Sequence, residues 1–379
     1  MRAHTNIQIK ESPKTLKEKG QVEAAAYGPP FSVYLYETPA SIACVYDLLP
    51  GESVCNPNVV VTNPKGGSRA IAIVDAFDDP NAYANLATYS AQFGLAAINP
   101  ESFQVIYAPA GLAKPGTCKG KGAVPPVDPT GGWEVEESLD EIAHGMAPEA
   151  TLYLVEAQSN DNNDLFCAVT LASKLVRAAG GGEVSMSWGE GEYPKETTDG
   201  GVFTIPNVVY FASAGDGPGT FYPSASPNVV SVGGTTLSSN LNTGNFLNEN
   251  VWQETGGGAS FCESIPSYQS GISTIMGTQR GVPDVSSDAN PYTRVWVLDD
   301  FDPPAGCTPL CWYTVGGTSV SSPTWAGIVY AAGSFAVSTN AEHTLLYGDK
   351  KSDFRDITYG NCGPYMFFLQ LVGGISVPA

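Results

Sequence analysis

The sequence predicts an α/β domain with a mostly parallel central sheet flanked by helices, on two observations. Short runs rich in Val and Ile alternate with helix-length segments, as in folds that cover a parallel sheet on both faces. The strongest run, Ala70-Ile71-Ala72-Ile73-Val74-Asp75, is apolar at every position up to its last. That suits a strand buried on both faces, with the carboxylate where the C-terminal ends of parallel strands open onto a crevice.

In chain order, a helix is predicted over Asn81 to Phe93, a strand over Thr151 to Val155 and a helix over Leu165 to Ala178. Further strands follow over Glu183 to Trp188, Asn207 to Ala212 and Asn228 to Val232. The Pro- and Gly-rich stretch from Cys118 to Gly132 reads as an exposed loop within the domain, because the α/β alternation continues on both sides of it. Residues 1–37 differ in character. The string Glu11 to Lys19 is polar, basic and without hydrophobic period, and no apolar stretch follows it as a signal peptide requires. Residues 1–37 read as a leader or propeptide remnant, and 38–379 as one domain.

The chain of 379 residues, 42% hydrophobic with 42 glycines and 29 prolines, has the composition of a loop-rich globular protein. Acidic residues outnumber basic ones 38 to 18, a net charge of −20, which argues against nucleic acid or an anionic membrane as partner. The same charge fits either solubility alone or work in acid, where protonation relieves self-repulsion. Eight cysteines (Cys44, Cys55, Cys118, Cys167, Cys262, Cys307, Cys311 and Cys362) suit disulfides and an extracytoplasmic location, with Cys307 and Cys311 spaced as a local loop clip. Zinc is disfavoured, because no second Cys/His pair has ligand spacing. No apolar segment reaches membrane-spanning length, so a soluble protein is expected.

Four segments carry chemistry. Gly316-Gly317-Thr318-Ser319, ahead of Pro323 and an apolar run, places a hydroxyl between a glycine turn and a helix whose first turn Pro323 suits. Ser319 is there either a nucleophile beside free backbone N–H groups or an ordinary helix cap. Trp133 to Gly145 reads as one helix with Glu136, Asp140 and His144 on a single face. Two carboxylates one turn apart share a proton and form a base that works in acid, or else line a solvated acidic face. Phe211 to Gly219 runs a strand into a glycine turn with Asp216 at its tip, a local turn residue or, when protonated, a donor to an oxyanion. Ser185 to Gly189 offers a strand edge that could pair with an extended peptide, with Trp188 lining the cleft or packing in the core.

In that order, Glu136-x-x-x-Asp140, Ser185-x-Ser187-Trp188-Gly189, Ala214-Gly215-Asp216-Gly217 and Gly317-Thr318-Ser319-x-x-x-Pro323 resemble the sedolisin, or serine-carboxyl peptidase, family, whose fold is subtilisin-like. The connecting phrases Ile73 to Ala76, Tyr222 to Pro227, Val232 to Thr235 and Arg280 to Val285 fit as well, and the similarity runs from about Thr38 to Gly363. The resemblance implies a secreted, monomeric endopeptidase or tripeptidyl-peptidase that acts on peptides or proteins in acid without an organic cofactor. By the same likeness, Ser319 is the nucleophile, Glu136 the general base, Asp140 its orienting partner and Asp216 the oxyanion donor. Ser187, Trp188 and Gly189 line the substrate cleft, and Asp75 stands behind the site at the subtilisin-like aspartate position.

Two departures temper this. The resemblance implies a long N-terminal prodomain, whereas about 37 residues precede the catalytic pattern here, so the chain is either a fragment or folds by another route. Asp356 and Ile357 resemble the start of the family's calcium loop, but the usual Gly-Trp-Asp close is replaced by Met366 to Ile375. Calcium prefers about six to eight oxygen ligands, so weak or absent calcium and reduced stability are expected. Two other readings remain open: a subtilisin-type triad of Asp75, His144 and Ser319, and an inactive peptidase-like binding protein.

Overall fold

The computed structural model describes residues 1–11, 37–48, 69–111, 118, 120–128, 131–240, 245–300, 311–333, 335–348 and 354–362. Its strands are β1 His4–Thr5, β2 Gln8–Glu11, β3 Ala70–Ala76, β4 Phe103–Tyr107, β5 Thr151–Ala157, β6 Gly182–Met186, β7 Trp188–Gly191 and β8 Val208–Ser213. They continue with β9 Phe221–Tyr222, β10 Val230–Ser239, β11 Phe246–Val251, β12 Gly258–Ser264, β13 Gln279–Val282, β14 Val285–Asp288, β15 Val295–Leu298 and β16 Trp312–Gly316. The helices used below are α1 Pro39–Val45, α2 Ala82–Phe93, α3 Gly132–Glu137, α4 Asp140–Met146, α5 Asn162–Ala178, α6 Thr318–Ala331 and α7 Thr339–Gly348.

The main sheet runs β11-β10-β8-β6-β3-β5-β4, with β14 also on β10. All its pairings are parallel except β10 with β11. The predicted mostly parallel α/β sheet is therefore present.

Strand β3 lies near its middle, and successive side chains alternate between faces. Ala70, Ala72, Val74 and Ala76 pack with Leu165, Phe166 and Val169 of α5, while Ile71 and Ile73 pack with Leu86 of α2 and Ala326, Val329 and Tyr330 of α6. Both faces are dry, hence the unbroken apolar run. Helix α2 stops at Gly94, whose φ of 66° is the left-handed conformation a helix end uses.

Two boundaries differ from expectation. The run Glu183 to Trp188 is two strands, because Ser187 steps out between β6 and β7 and turns its carbonyl toward α6. The stretch Trp133 to Gly145 is two short helices. At Ser138 and Leu139 the ladder tightens to three-residue bonds, Leu139 N–H to Glu136 and Glu141 N–H to Ser138, and Ser138 Oγ bonds the Val135 carbonyl at 2.6 Å.

Cys118 is disulfide-bonded to Cys167 of α5, which fastens the loop before α3 to the sheet's helical cover. Cys44 and Cys311 are also in disulfides, whereas Cys262 and Cys362 carry free thiols. The expected Cys307–Cys311 clip and the tail from Met366 to Ile375 lie outside the described residues. Among the described residues no helix is long and apolar enough to cross a membrane.

Candidate active site

Helix α6 begins one residue after Gly317, so Ser319 sits in its first turn, fully buried, with its N–H still free of the helix ladder. Pro323 falls in the second turn rather than the first, and lacks the N–H that would bond the Ser319 carbonyl. Ser187 Oγ donates to that carbonyl at 3.0 Å, and Ser319 Oγ donates back to the Ser187 carbonyl at 3.0 Å.

Asp216 follows β8. Its Oδ1 accepts from Thr318 N–H at 2.7 Å and Thr318 Oγ1 at 2.8 Å, while Oδ2 is buried without a partner. Burial pushes its pKa up to about 7, with the Thr318 bonds opposing. Below that pH the proton belongs on Oδ2, because both bonds to Oδ1 are accepted ones. Oδ2 then faces the cleft as a donor.

Glu136, at the end of α3, is fully buried. Its pKa is raised first by burial and then by the charge of Asp75, and is lowered by the Ser319 hydroxyl and the Ile7 N–H that approach it. Neither group completes a hydrogen bond to either carboxyl oxygen. Asp75, at the end of β3, is equally buried and raised by burial; its Oδ1 accepts from Ala76 N–H at 3.0 Å and its Oδ2 is unpartnered. The break between α3 and α4 directs Asp140 elsewhere. Its pKa is raised by burial and by Asp79. Ser319, Glu136, Asp216 and Asp75 thus come together, and the carboxyls that raise the pKa of Glu136 are that of Asp75 first and that of Asp216 second.

His144, on α4, bonds the Ala96 carbonyl through Nε2 at 3.0 Å, and burial lowers its pKa to about 4. It is a packed neutral histidine tied to the loop after α2.

The cleft is filled by the chain's own N-terminus, which the sequence reading set aside as a leader. Ala3 N–H bonds the Asn160 carbonyl at 2.9 Å, and β1 pairs antiparallel with β7, His4 opposite Gly189 and Thr5 opposite Trp188. Asn6 N–H donates to the Ser187 carbonyl at 3.2 Å, and the Asn6 carbonyl accepts from Ser319 N–H at 3.3 Å. Its side chain enters a closed pocket, Nδ2 donating to Ser213 Oγ at 2.8 Å. Beyond Ile7, β2 pairs antiparallel with β16, the strand that leads into Ser319. Gly317 makes this crossing possible: it holds φ 97°, and a Cβ there would stand 2.0 Å from the Asn6 carbonyl oxygen and 2.6 Å from Asp216 Oδ2. Trp188 is tied into the sheet through Nε1 to the Val74 carbonyl at 3.0 Å. The only residue signal for this arrangement was the strand edge at Ser187 to Gly189.

The chain is 25% identical over 329 residues to sedolisin of Pseudomonas sp. (strain 101), covering 76% of this chain and 49% of that protein. It is 28% identical over 333 residues to kumamolisin of Bacillus sp. (strain MN-32), covering 78% and 54%. The chain is similar in sequence to members of the sedolisin family and shares their fold. Xanthomonalisin of Xanthomonas sp. (strain T-22) is 32% identical over 163 residues, which is 37% of this chain and 18% of that protein. Pseudomonas sedolisin, a serine-carboxyl proteinase solved with two molecules of pseudo-iodotyrostatin, shares the fold at a TM-score of 0.65 and 22% identity, covering 87% of this chain and 90% of that one. No family model matches the chain. The chain spans about half the length of the first curated relatives it matches.

The two residues that the resemblance assigns to a calcium loop, Asp356 and Ile357, lie in the described segment 354–362. Asp356 is exposed, and its neighbour Arg355 turns to Glu249 at 3.5 Å with its guanidinium over the Phe246 ring. The carboxylates and thiol close enough to share a cation are instead Glu192, Glu196 and Cys262.

Proposed function

We propose that the chain is an acid-acting serine-carboxyl peptidase that hydrolyses peptide bonds through an acyl-enzyme on Ser319. One observation carries the reading: residues 4–11 cross the cleft as an extended peptide, with a carbonyl on Ser319 N–H and the next amide at Glu136. Strand addition gives a site sequence-tolerant affinity through main-chain bonds, which is what a peptidase needs.

In this mechanism Ser319 Oγ leaves the Ser187 carbonyl and attacks the substrate carbonyl while Glu136 takes its proton. The proton resides between Glu136 and Asp75, whose charges cannot both be carried in a dry pocket, so their titration is coupled. Asp140 supports the helix junction and the charge of the carboxyl belt rather than bonding Glu136. The developing oxyanion is held by Ser319 N–H and by protonated Asp216. Glu136 then returns the proton to the leaving amine, and water releases the acyl group. Peptides or proteins are the substrates. The Cys118–Cys167 disulfide favours action outside the cytoplasm, and we take the working form to be a monomer.

The test is hydrolysis of casein or a peptide from about pH 2 to 9 by the parent, Glu136→Ala and His144→Ala. Loss of about 10²-fold or more in kcat for Glu136→Ala, with the pH profile of His144→Ala unchanged, supports the carboxylate base. A neutral optimum lost with His144→Ala means a histidine triad. A folded parent with no activity at any pH is a binding protein.

A further inference from the structure

We propose that Glu192, Glu196 and Cys262 form a binding site for one zinc ion, which ties the loop after β7 to β12. The site is distinct from Ser319 and its carboxyls, and the proposal does not depend on the peptidase reading.

Three stretches of chain meet there. Glu192 directly follows β7, Glu196 opens the short helical turn Glu196–Asp199, and Cys262 lies on β12. One ligand atom from each, two carboxylate oxygens and the thiol sulfur, all lie within 4.8 Å of one another. That is close to the span of a single coordination shell, in which Zn–O and Zn–S bonds are about 2.0–2.3 Å long. Sequence spacing hid the group, because it joins a local Glu-x-x-x-Glu to a cysteine on a distant strand and contains no Cys/His pair.

Glu192 is held in place from several sides. Its Oε1 accepts from Ser260 Oγ, and its Oε2 from Thr220 Oγ1 and from Phe261 N–H at 2.9 Å. Ser260 Oγ in turn accepts from Cys262 N–H at 3.1 Å and from Glu263 N–H at 2.8 Å. One hydroxyl thus sets the cysteine against the carboxylate, as outer-shell bonds do around metal ligands.

Glu196 gives the independent sign of a missing partner. It is 0% exposed, its Oε2 accepts from Tyr193 N–H at 2.7 Å, and its Oε1 is buried with no hydrogen-bond partner. A carboxylate oxygen kept dry and unpaired is costly unless a proton or a cation meets it. Cys262 is a free, half-buried thiol, so its sulfur is available and the group is reachable from solvent.

The donor set selects the ion. Calcium and magnesium take oxygen ligands, whereas one thiolate with two carboxylates suits zinc, water completing a four-coordinate shell. The competing occupant is a proton shared by Glu192 and Glu196, whose carboxyls approach within bonding reach. Zinc here would brace the cleft strand from its outer end, since β7 pairs with residues 4 and 5 on one side and with β9 on the other.

The experiment uses the full chain at about pH 7, where the ligands shed their protons to a metal. Parent, Cys262→Ser, Glu196→Gln and Cys362→Ser are stripped with a chelator and titrated with zinc by calorimetry. Cobalt(II) serves separately as a coloured probe, and circular dichroism and melting report the fold. The expected result is one zinc per parent chain, a Tm raised by zinc, a sulfur-to-cobalt charge-transfer band, and zinc protection of Cys262 from alkylation. Cys262→Ser should lose the band, and both it and Glu196→Gln should bind zinc about tenfold or more weakly. Cys362→Ser removes the other free thiol among the described residues and should match the parent. Glu196→Gln takes a buried charge out of an acidic cluster at constant size, so it keeps the test decisive where Cys262→Ser fails to fold. No zinc on a folded parent would leave the shared proton as occupant and overturn the proposal, as would equal binding by Glu196→Gln and the parent. Neither outcome bears on hydrolysis by Ser319.

Discussion

Ser187 and Ser319 exchange hydrogen bonds, each hydroxyl to the other's carbonyl at 3.0 Å, because Pro323 lacks the N–H that would otherwise occupy Ser319's carbonyl. The helix gives up one ladder bond, and the cleft strand takes its place. Ser319 is thereby registered directly to the strand end on which residues 4–6 are paired.

Ser187→Ala should therefore cost more than a surface serine would. It strands the buried Ser319 carbonyl, a loss of about 1–3 kcal/mol in stability. The Ser187 carbonyl that receives the Ser319 hydroxyl is untouched, so kcat should fall less than tenfold. Urea unfolding and peptide kinetics on the same variant check the two halves; a large kcat loss without destabilisation would contradict this account.

Gly317→Ala should be the most damaging single methyl in the site. Its φ of 97° disfavours any side chain, and the added carbon would lie 2.0 Å from the Asn6 carbonyl oxygen that meets Ser319 N–H. A fall of about 10²-fold or more in kcat/KM is expected, of the size that follows misplacement of a reacting group. Normal kinetics in a folded Gly317→Ala protein would mean that the peptide does not take the path of residues 4–11.

Much of this site was legible before the structure. Ser319 and Asp216 each sit where a glycine turn follows a strand, a local pattern that sequence displays well. The partner of Glu136 was not. Four-residue spacing points to Asp140, but that holds only in an unbroken helix, and Ser138 bonding its own backbone breaks this one. Asp75 lies 61 residues earlier, and only the parallel sheet brings its strand end beneath α3. The N-terminal strand was hidden for a different reason. In residues 4–11 the apolar alternation is only Ile7 and Ile9, too short to mark a strand, because main-chain bonds and one polar contact at Asn6 hold the segment, and periodicity reports only side chains sorted between core and water.

In the proposed mechanism Asp216 sets the alkaline limit of activity. Its pKa is pushed up to about 7, so above that pH the donor becomes an anion facing the oxyanion. Activity should rise as the first proton leaves the Glu136–Asp75 pair and fall as pH passes about 7. Asp216→Ala should lower kcat by about 10²–10³-fold, the usual cost of removing one oxyanion donor. Asp216→Asn keeps a neutral donor at every pH, and should move the falling limb of the pH–kcat curve upward. An unmoved limb would assign it to another group.

The Cys118–Cys167 bridge closes a loop of 49 residues and should be worth about 4 kcal/mol through the unfolded chain. It joins the loop before α3 to α5, so its reduction bears on Glu136 as well as on stability. Cys118→Ser with Cys167→Ser should unfold at a clearly lower urea concentration than the parent. An unchanged midpoint would show that the loop is held without it, for instance by Lys174 Nζ on the Cys118 carbonyl at 2.6 Å.

Stability itself should be greatest in acid. Asp79 and Asp216 are raised by burial to about 7 and Glu156 to about 10, and no cation lies beside them among the causes of those shifts. In the unfolded chain such groups release their protons near pH 4. The native state therefore holds protons the unfolded state has lost, and the contribution is full below about pH 4 and declines as pH rises toward 7 and beyond. Each fully buried group loses at most ~1.4 kcal/mol per pH unit over its window. One carboxylate works in the opposite sense. Asp284 is held ionised by Arg280, at 2.6 and 2.9 Å, and by His343 at 3.1 Å, so its share is present above about pH 4 and lost as pH falls further. Together they place the stability maximum near pH 4. Melting of Ser319→Ala, which lacks the proposed nucleophile, followed from pH 2 to 8 should show Tm falling from that maximum toward neutral pH. A Tm that rises steadily to pH 7 would mean that the buried carboxyl belt is neutralised by groups other than its own protons.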